Sequence, residues 1–231
     1  MSDKTVKSAG RHRPSPTIED YLTILYILER DGEEVIAARI AEALEVAPPT
    51  VTVTLKRMER DGWVSPHERR GVRLSDAGRE AARNVLRRHM LTEWLLTRML
   101  KVPWSRTHIE AHNLEHTISE EIEARMKANL DDPQTCPHGN PLPGYEHVTA
   151  AWVPLTQLQA GEQVILRRIH ELAEDNLDLI SFLESSDLFP GAQAEVVEVL
   201  PFNQTVTLRV DTKLVTLGFA TARYLFAQRG A

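Results

Sequence analysis

Four prolines fall within residues 133–144 of this chain of 231 residues. They separate two parts that differ in the spacing of their apolar residues. Because proline lacks an amide hydrogen and fixes its own φ, the segment is predicted to be irregular and to act as a linker. Apolar side chains recur at helical spacing before it, whereas short runs typical of strands follow it. The sequence therefore predicts a mainly α-helical fold with a C-terminal β part.

The helical part begins with a pattern typical of a helix-turn-helix. A first helix is predicted from an N-cap at Thr17 to a stop at residues 31–32. A short helix over residues 36–44 follows. The next helix opens at Pro48, a position where proline is tolerated, and ends at Gly62.

The outer side of that last helix and the hairpin after it carry residues that suit DNA contact. Short strands over residues 63–64 and 72–74 predict a wing. Small hydroxyls can meet base edges in the major groove, and cations neutralise phosphates. The predicted DNA-binding residues are Arg39, Pro49, Thr50, Thr52, Thr54, Lys56, Arg57, Arg69, Arg70 and Arg73. A three-helix packing unit that binds no nucleic acid remains the alternative.

Two longer helices are predicted next, over residues 76–100 and 106–130. Within them, side chains that ligate metals recur at offsets that keep them on one helical stripe. Imidazole and carboxylate groups that converge from neighbouring helices suit a divalent transition metal. These side chains are His89 and Glu93 on the first helix, and His108, His112, Glu115 and His116 on the second. The alternative is a solvated face of two exposed helices.

Other residues bear on the same chemistry. Residues 112–116 read H-x-x-E-H, the inverted zinc-peptidase motif, in which Glu115 would act as general base on a zinc-bound water. The adjacent DNA-binding pattern favours a metal sensor over a peptidase.

Glu171 and Glu174, three residues apart, are placed to reach a second metal. Cys136 and His138 lie in the proline-rich segment without a partner pair, which favours an incidental free thiol.

Composition narrows the class of protein. The formal net charge is −6, but the first sixteen residues are basic, so total charge decides little about DNA binding. The one cysteine excludes an internal disulfide and fits a reducing compartment. No apolar run approaches the roughly 20 residues that cross a bilayer, and no signal peptide opens the chain. We therefore expect a cytoplasmic protein without a membrane partner.

With these residues in place, the chain resembles the family of the diphtheria toxin repressor and the manganese transport regulators. The resemblance covers residues 17–144 well and the remainder more loosely, and the C-terminal part is similar to a ferrous-iron-transport-A-like barrel. The motifs that carry it are Ile18-Glu19-Asp20-Tyr21-Leu22, Arg57-Met58-Glu59-Arg60-Asp61-Gly62, Arg88-His89 with Glu93, His108, Glu115-His116 and Gly139-Asn140-Pro141-Leu142-Pro143-Gly144. It implies a dimeric regulator that binds an inverted-repeat operator once metal is bound.

The resemblance also implies two metal sites. The primary site would use Asp20, His112, Glu115 and His116, and the ancillary site His89, Glu93, His108, Glu171 and Glu174. Aspartate at position 20 is the manganese-type choice, because a hard oxygen ligand suits Mn²⁺. The family usually has cysteine or glutamate at position 112, and the histidine here shifts preference towards Fe²⁺, Zn²⁺ or Co²⁺.

The predicted domains are a flexible basic arm (1–16), a winged helix-turn-helix (17–82), a helical dimerisation and metal-binding domain (83–144), a linker (145–153) and a small β-barrel (154–231). The predicted function is a manganese-responsive repressor of metal uptake genes, not an enzyme, that binds a palindromic DNA operator as a homodimer. No small organic substrate is expected. A zinc metallopeptidase and a winged-helix regulator that senses a small organic ligand remain as alternatives.

Overall fold

The computed structural model describes residues 13–67 and 71–230, which form two compact units divided between Arg83 and Asn84. The predicted wing-tip residues Arg69 and Arg70, and the predicted arm up to residue 12, lie outside the described residues. No helix within the described ranges is long and apolar enough to span a membrane.

The first unit is a winged helix. Its elements are α1 (Pro16–Arg30), α2 (Ala37–Ala43), α3 (Pro48–Arg60), and the antiparallel strands β1 (Val64–His67) and β2 (Gly71–Leu74). The predicted N-cap at Thr17 is wrong, because α1 already begins at Pro16 and Ser15 takes the cap position. Proline suits the first helical turn, since its φ is helical and it has no amide hydrogen to satisfy.

The core of this unit comes from the apolar faces of its helices. Leu22 and Leu25 on α1, Ile40 on α2, and Val51 and Met58 on α3 are all fully buried. Because these positions follow helical spacing, each helix shows its polar side outward. The result is the predicted helix-turn-helix, with the polar side of α3 exposed.

A carboxylate fixes the wing against α1. Glu29 on α1 accepts a hydrogen bond of 2.7 Å from the Leu74 amide, and it also pairs with Arg79. Gly78 allows a close backbone approach, because a Cβ at that position would lie 2.0 Å from the Trp63 carbonyl oxygen. The hairpin is thereby held against α1.

The second unit starts within α4 (Asp76–Trp94), which ends in a π-helical turn at Leu95–Met99. A single helix over residues 106–130 was predicted, and that prediction is wrong. The segment forms α5 (Thr107–Glu115) and α6 (Glu120–Asn129). Ser119 caps α6 by accepting a hydrogen bond from the Ile122 amide, and the Thr117 hydroxyl donates to the Leu114 carbonyl. These side chains therefore compete with the backbone hydrogen bonds that would continue the helix.

The C-terminal part is a six-stranded antiparallel sheet around one apolar core, in the strand order β3-β8-β4-β5-β6-β7. The strands are β3 (Val153–Pro154), β4 (Gln163–Ile169), β5 (Gln193–Leu200), β6 (Thr205–Val210), β7 (Lys213–Gly218) and β8 (Leu225–Arg229), with α7 (Leu177–Ser185) and α8 (Phe219–Ala222) between them. Register shifts in β4 and β5 bend the sheet. The sequence predicts strands over residues 163–169, 194–200, 205–210 and 214–216, and the structure adds β3 and β8 to them.

The proline-rich segment is irregular as predicted, but it is not a free linker. Residues 136–143 are buried. Two indoles hold the segment: Trp94 Nε1 donates to the Thr135 carbonyl at 2.6 Å, and Trp104 Nε1 donates to the Pro137 carbonyl at 3.1 Å. A Cβ at Gly139 would lie 1.8 Å from the Arg167 carbonyl oxygen, so only glycine fits this close approach to β4.

Candidate metal centre

Three of the predicted primary ligands lie together at the end of α5. Glu115 Oε1 is 3.4 Å from His112 Nδ1 and 3.5 Å from His116 Nε2. The helix ends at Glu115, so His116 occupies the C-cap, one turn from His112. Asp20 lies on α1, in the first unit, and its part in this set stays a prediction. We call His112, Glu115 and His116 the α5 cluster.

The other oxygen of Glu115 faces α4. Glu115 Oε2 is 2.5 Å from His89 Nδ1. Burial by itself lowers the pKa of His89, but the charge of Glu115 and hydrogen bonds to Glu115 and Glu93 outweigh it and raise the pKa to about 10. Burial opposes ionisation of Glu115, but the charge of His89 and hydrogen bonds from His112 and His89 lower its pKa to about 2. The two side chains therefore form an ion pair.

A second, deeper group of ligands surrounds Glu93, whose side chain is fully buried. Glu93 Oε1 is 3.6 Å from His89 Nε2, 3.6 Å from His108 Nδ1 and 3.0 Å from His138 Nδ1. Glu174 Oε2, from the turn after β4, is 2.6 Å from His108 Nδ1. One ligand atom from each of His89, Glu93, His108 and Glu174 lies within 4.8 Å of every other.

His138 and Cys136 also lie in this group, although their position in the proline-rich segment favoured an incidental free thiol. Ligand atoms of Glu93, Cys136 and His138 likewise lie within 4.8 Å of one another. His138 is 0% and Cys136 2% exposed, so this interpretation is corrected. The Cys-x-His spacing was a signal, but its partner Glu93 is more than forty residues away in sequence. We call His89, Glu93, His108, Cys136, His138 and Glu174 the Glu93 cluster.

Glu171 was predicted as an ancillary ligand, and its part in that site stays a prediction. Its Oε2 accepts a hydrogen bond of 2.9 Å from Arg168 Nη2 and lies 3.7 Å from His170 Nδ1. Of the two barrel carboxylates that the sequence singled out, only Glu174 reaches the Glu93 cluster.

The chemistry of the Glu93 cluster fits a cation. Glu93 Oε2 and His138 Nε2 are buried and have no hydrogen-bond partner within the described part of the chain. Unpaired buried polar atoms are costly, and a metal ion is a partner that a carboxylate oxygen or an imidazole nitrogen can take. A carboxylate-rich cluster with imidazoles and a thiol offers the ligand types of a transition-metal site.

Electrostatics in the Glu93 cluster agree with that fit. Burial lowers the pKa of His108 and of His138, but the charge of Glu174 dominates at both and leaves each pKa raised. Burial raises the pKa of Glu93, yet the charge of His138 and hydrogen bonds from three histidines hold it well below its ordinary value. The histidines of the cluster thus favour their protonated form. A bound cation would replace those protons as the positive charge beside the carboxylates.

These protons predict a strong pH dependence of metal binding. The pKa of His89 is about 10 when folded against an ordinary 6.5, so its ion pair stabilises the metal-free protein below pH 6.5 and loses that effect as the pH rises through 10. A cation at His89 must displace this proton and those of any other protonated imidazole that it binds, so metal affinity is expected to rise at least about tenfold per pH unit between these values.

Calorimetric metal titration in buffers of different ionisation enthalpy measures this release. The variant His89→Gln is expected to lose one displaced proton, whereas His147→Gln, at an exposed histidine, is expected to keep it. An affinity that stays flat between pH 6.5 and about 8.5 would count against imidazole ligation.

The predicted DNA-binding residues that the structure describes lie mostly on one exposed face. Pro49, Thr50, Thr52, Lys56 and Arg57 are exposed on α3, Thr54 is half-buried on the same helix, and Arg73 is exposed on β2. Arg39 on α2 is paired with Glu33 at 2.6 Å, so its guanidinium is already partly neutralised.

Comparison with known proteins covers nearly the whole chain. The family models described as "Iron dependent repressor, N-terminal DNA binding domain", "Iron dependent repressor, metal binding and dimerisation domain" and "FeoA domain" match residues 15–72, 75–144 and 153–229. The iron-dependent repressor IdeR of Mycobacterium leprae is 37% identical over 211 residues, covering 83% of this chain and 92% of that protein. The diphtheria toxin repressor of Corynebacterium diphtheriae is 36% identical over 191 residues, covering 79% and 84%.

Solved structures agree. A manganese-dependent transcriptional repressor in complex with manganese superposes with a TM-score of 0.80 at 26% identity, covering 92% of this chain and all of that one. ScaR with bound Zn²⁺ gives a TM-score of 0.78 at 29% identity, covering 94% and 100%. The resemblance drawn from the sequence is therefore confirmed: the chain belongs to the family of iron-dependent repressors, metal-dependent transcriptional regulators that bind DNA and dimerise through their metal-binding domain.

Proposed function

We propose that this protein is a manganese-responsive repressor of metal uptake genes, which binds a palindromic operator as a homodimer when it is loaded with metal. The observation that carries the proposal is the Glu93 cluster, in which Glu93 Oε2 and His138 Nε2 are buried without a hydrogen-bond partner among the described residues. A charged and buried ligand set with unpaired atoms, in a chain of this family, supports a metal-sensing role.

Two metal sites follow from the ligand sets. We infer that Asp20 joins the α5 cluster as a hard oxygen ligand, which favours Mn²⁺, with Fe²⁺, Zn²⁺ or Co²⁺ as the competing ions. Histidines and a thiol make the Glu93 cluster softer. Because His89 lies in the Glu93 cluster and is also bonded to Glu115, metal at one site is expected to affect the other.

The three domains would have different roles, in the order in which they occur along the chain. Residues 17–82 would read DNA, residues 83–144 would dimerise and bind metal, and residues 154–231 would supply Glu174 to the Glu93 cluster. Met99 and Leu100 support the second assignment, because these apolar side chains are 67% and 64% exposed at the end of the α4 segment. Exposed apolar side chains of this size suit an interface between two copies.

Asp20 is the proposed ligand through which metal binding would affect DNA binding. It lies on α1 of the winged helix, whereas the other proposed ligands of its metal lie on α5. A cation that both helices share would restrain the reading unit and favour the orientation that meets both half-sites of the operator.

The alternatives have less support. A zinc peptidase would need Glu115 free to take a proton from water, but Oε2 is bonded to His89 and Oε1 lies between two imidazoles. Members of the family are transcriptional repressors rather than enzymes. A regulator that senses an organic ligand would bind its operator equally well in the presence of a chelator.

Operator affinity tests the proposal. Sequences that bind the metal-loaded protein would be selected from random DNA, and affinity would then be measured at buffered free Mn²⁺, Fe²⁺, Zn²⁺ and Co²⁺. We expect Mn²⁺ to tighten binding about a hundredfold, which corresponds to about 2.7 kcal/mol of coupling. Operator binding that a chelator leaves unchanged would contradict metal dependence, and a larger response to another ion would contradict the choice of manganese.

A further inference from the structure

Glu29 is an almost buried carboxylate that belongs to neither the α5 cluster nor the Glu93 cluster. It lies in the last turn of α1, and its side chain is 15% exposed. One oxygen accepts the hydrogen bond of 2.7 Å from the Leu74 amide at the end of β2, and the other pairs with Arg79 near the start of α4. Burial of a carboxylate is costly unless specific partners satisfy it, so Glu29 must be held by these contacts.

Glu29 and Asp20 lie on opposite sides of α1. They are nine residues apart in sequence, which corresponds to about two and a half helical turns. Side chains separated by a half-integral number of turns point in opposite directions. Because the helix between them is continuous, a restraint applied to α1 through Asp20 would reach the wing through Glu29.

Arg73 is the wing residue whose position depends on the bond between Glu29 and Leu74. It immediately precedes Leu74 in β2, and successive side chains of a strand point to opposite faces. Leu74 is buried, whereas Arg73 is exposed and its Nε donates to Ser65 Oγ on β1 at 3.2 Å. The hydrogen bond to the Leu74 backbone therefore fixes the point from which the Arg73 side chain extends outward.

A separate set of bonds ties the chain after Leu74 to the end of α3. The Ser75 hydroxyl donates to the Gly62 carbonyl at 2.7 Å, and the Ser75 amide donates to the Trp63 carbonyl at 3.0 Å. The Ser75 oxygen also accepts from the Gly78 amide at 3.0 Å. Ser75 thus ties the wing to α3, and Glu29 ties it to α1. Loss of Glu29 is therefore expected to leave the hairpin in place but to release it from α1.

We infer that Glu29 is a positioning residue that couples the wing to α1, so that Arg73 meets a DNA phosphate when metal restrains this helix. The inference rests on the proposed function, in which Asp20 binds the metal and Arg73 contacts DNA. It adds a route from the metal to the wing within the winged helix. Glu29 itself contacts neither the metal nor the DNA in this route.

Operator affinity at several salt concentrations, measured for the full chain with Mn²⁺ and with a chelator, tests this inference. The variants are Glu29→Ala, Arg73→Ala and the double variant. Circular dichroism checks folding, and Glu29→Met, which fills a similar volume without an acceptor, replaces Glu29→Ala if the latter does not fold. Glu29→Gln keeps an acceptor for the Leu74 amide and is the conservative variant. The matched control is Glu34→Ala, which removes an exposed negative charge from the same unit.

We expect Glu29→Ala to weaken operator binding about fivefold with Mn²⁺, and to reduce the slope of log affinity against log salt concentration by about one, as the loss of one phosphate contact would. With chelator, and in the Arg73→Ala background, the same change is expected to cost less than about twofold, because a positioning residue acts only through the contact that it places. Glu29→Gln and Glu34→Ala are expected to keep the affinity and salt dependence of the unchanged protein.

Three results would overturn the inference alone and leave the proposed function standing. They are equal losses with and without Mn²⁺, an unchanged salt dependence in Glu29→Ala, and effects of Glu29→Ala and Arg73→Ala that multiply independently. Each of them would show a merely structural role of Glu29. A Glu29→Gln variant that behaves like Glu29→Ala would rule out the Leu74 bond as the coupling contact. If operator binding by the unchanged protein does not respond to metal, the proposed function and the inference fail together.

Discussion

Replacing Asp20 by alanine is expected to abolish the metal-dependent tightening of operator binding. The loss should be about a hundredfold, or about 2.7 kcal/mol, because Asp20 is the proposed ligand that lies on the DNA-reading unit. Without it, metal can still bind other ligands of the second unit, but it no longer restrains α1. Fluorescence anisotropy with a labelled operator, with and without Mn²⁺, measures the effect.

The matched control for this change is Glu34→Ala, which removes an exposed carboxylate from the same unit. It is expected to keep the full response to metal. Sedimentation should show that both variants remain dimers, since neither lies in the domain that the family uses for dimerisation. A normal response to Mn²⁺ in Asp20→Ala would refute the proposed coupling, whatever the metal content of the protein.

The change Glu93→Gln is expected to destabilise the metal-free protein by about 3–5 kcal/mol. Glu93 is the carboxylate that His89, His108 and His138 share, and its removal takes away one of the carboxylates that face each buried imidazole. The pKa values of those imidazoles are then expected to fall, and part of the cost appears in that fall. The melting temperature should fall on the order of 10 °C for a chain of this size.

The control here is Glu121→Gln on α6, whose carboxylate is 74% exposed and paired with Arg125. An exposed pair of this kind contributes little, so its melting temperature should barely change. Co²⁺ should no longer bind to the Glu93 cluster in Glu93→Gln. Equal melting temperatures for the two variants would show that Glu93 contributes no more to stability than an exposed carboxylate does.

The local elements of the fold were largely predictable. Helix α3 was predicted close to its observed bounds, because Pro48 and Gly62 mark its ends and the apolar spacing between them is regular. The break between α5 and α6 was not predicted, because the spacing of apolar residues continues across it. The break comes from the side chains of Thr117 and Ser119, which form hydrogen bonds with backbone groups in place of the helical ones. Strand β8 was missed because it is short, and partners far away in sequence define it.

The sequence alone determined the fold class, the family and the ligands on one helical stripe, because helical periodicity is a local property that residue spacing records directly. The tertiary structure decided the rest of the metal centre. It brought Cys136 and His138 to Glu93, and it turned Glu174 towards the cluster and Glu171 towards Arg168. These choices depend on contacts between distant segments in a buried environment, where the partner of each charge is set by packing and not by its position along the chain.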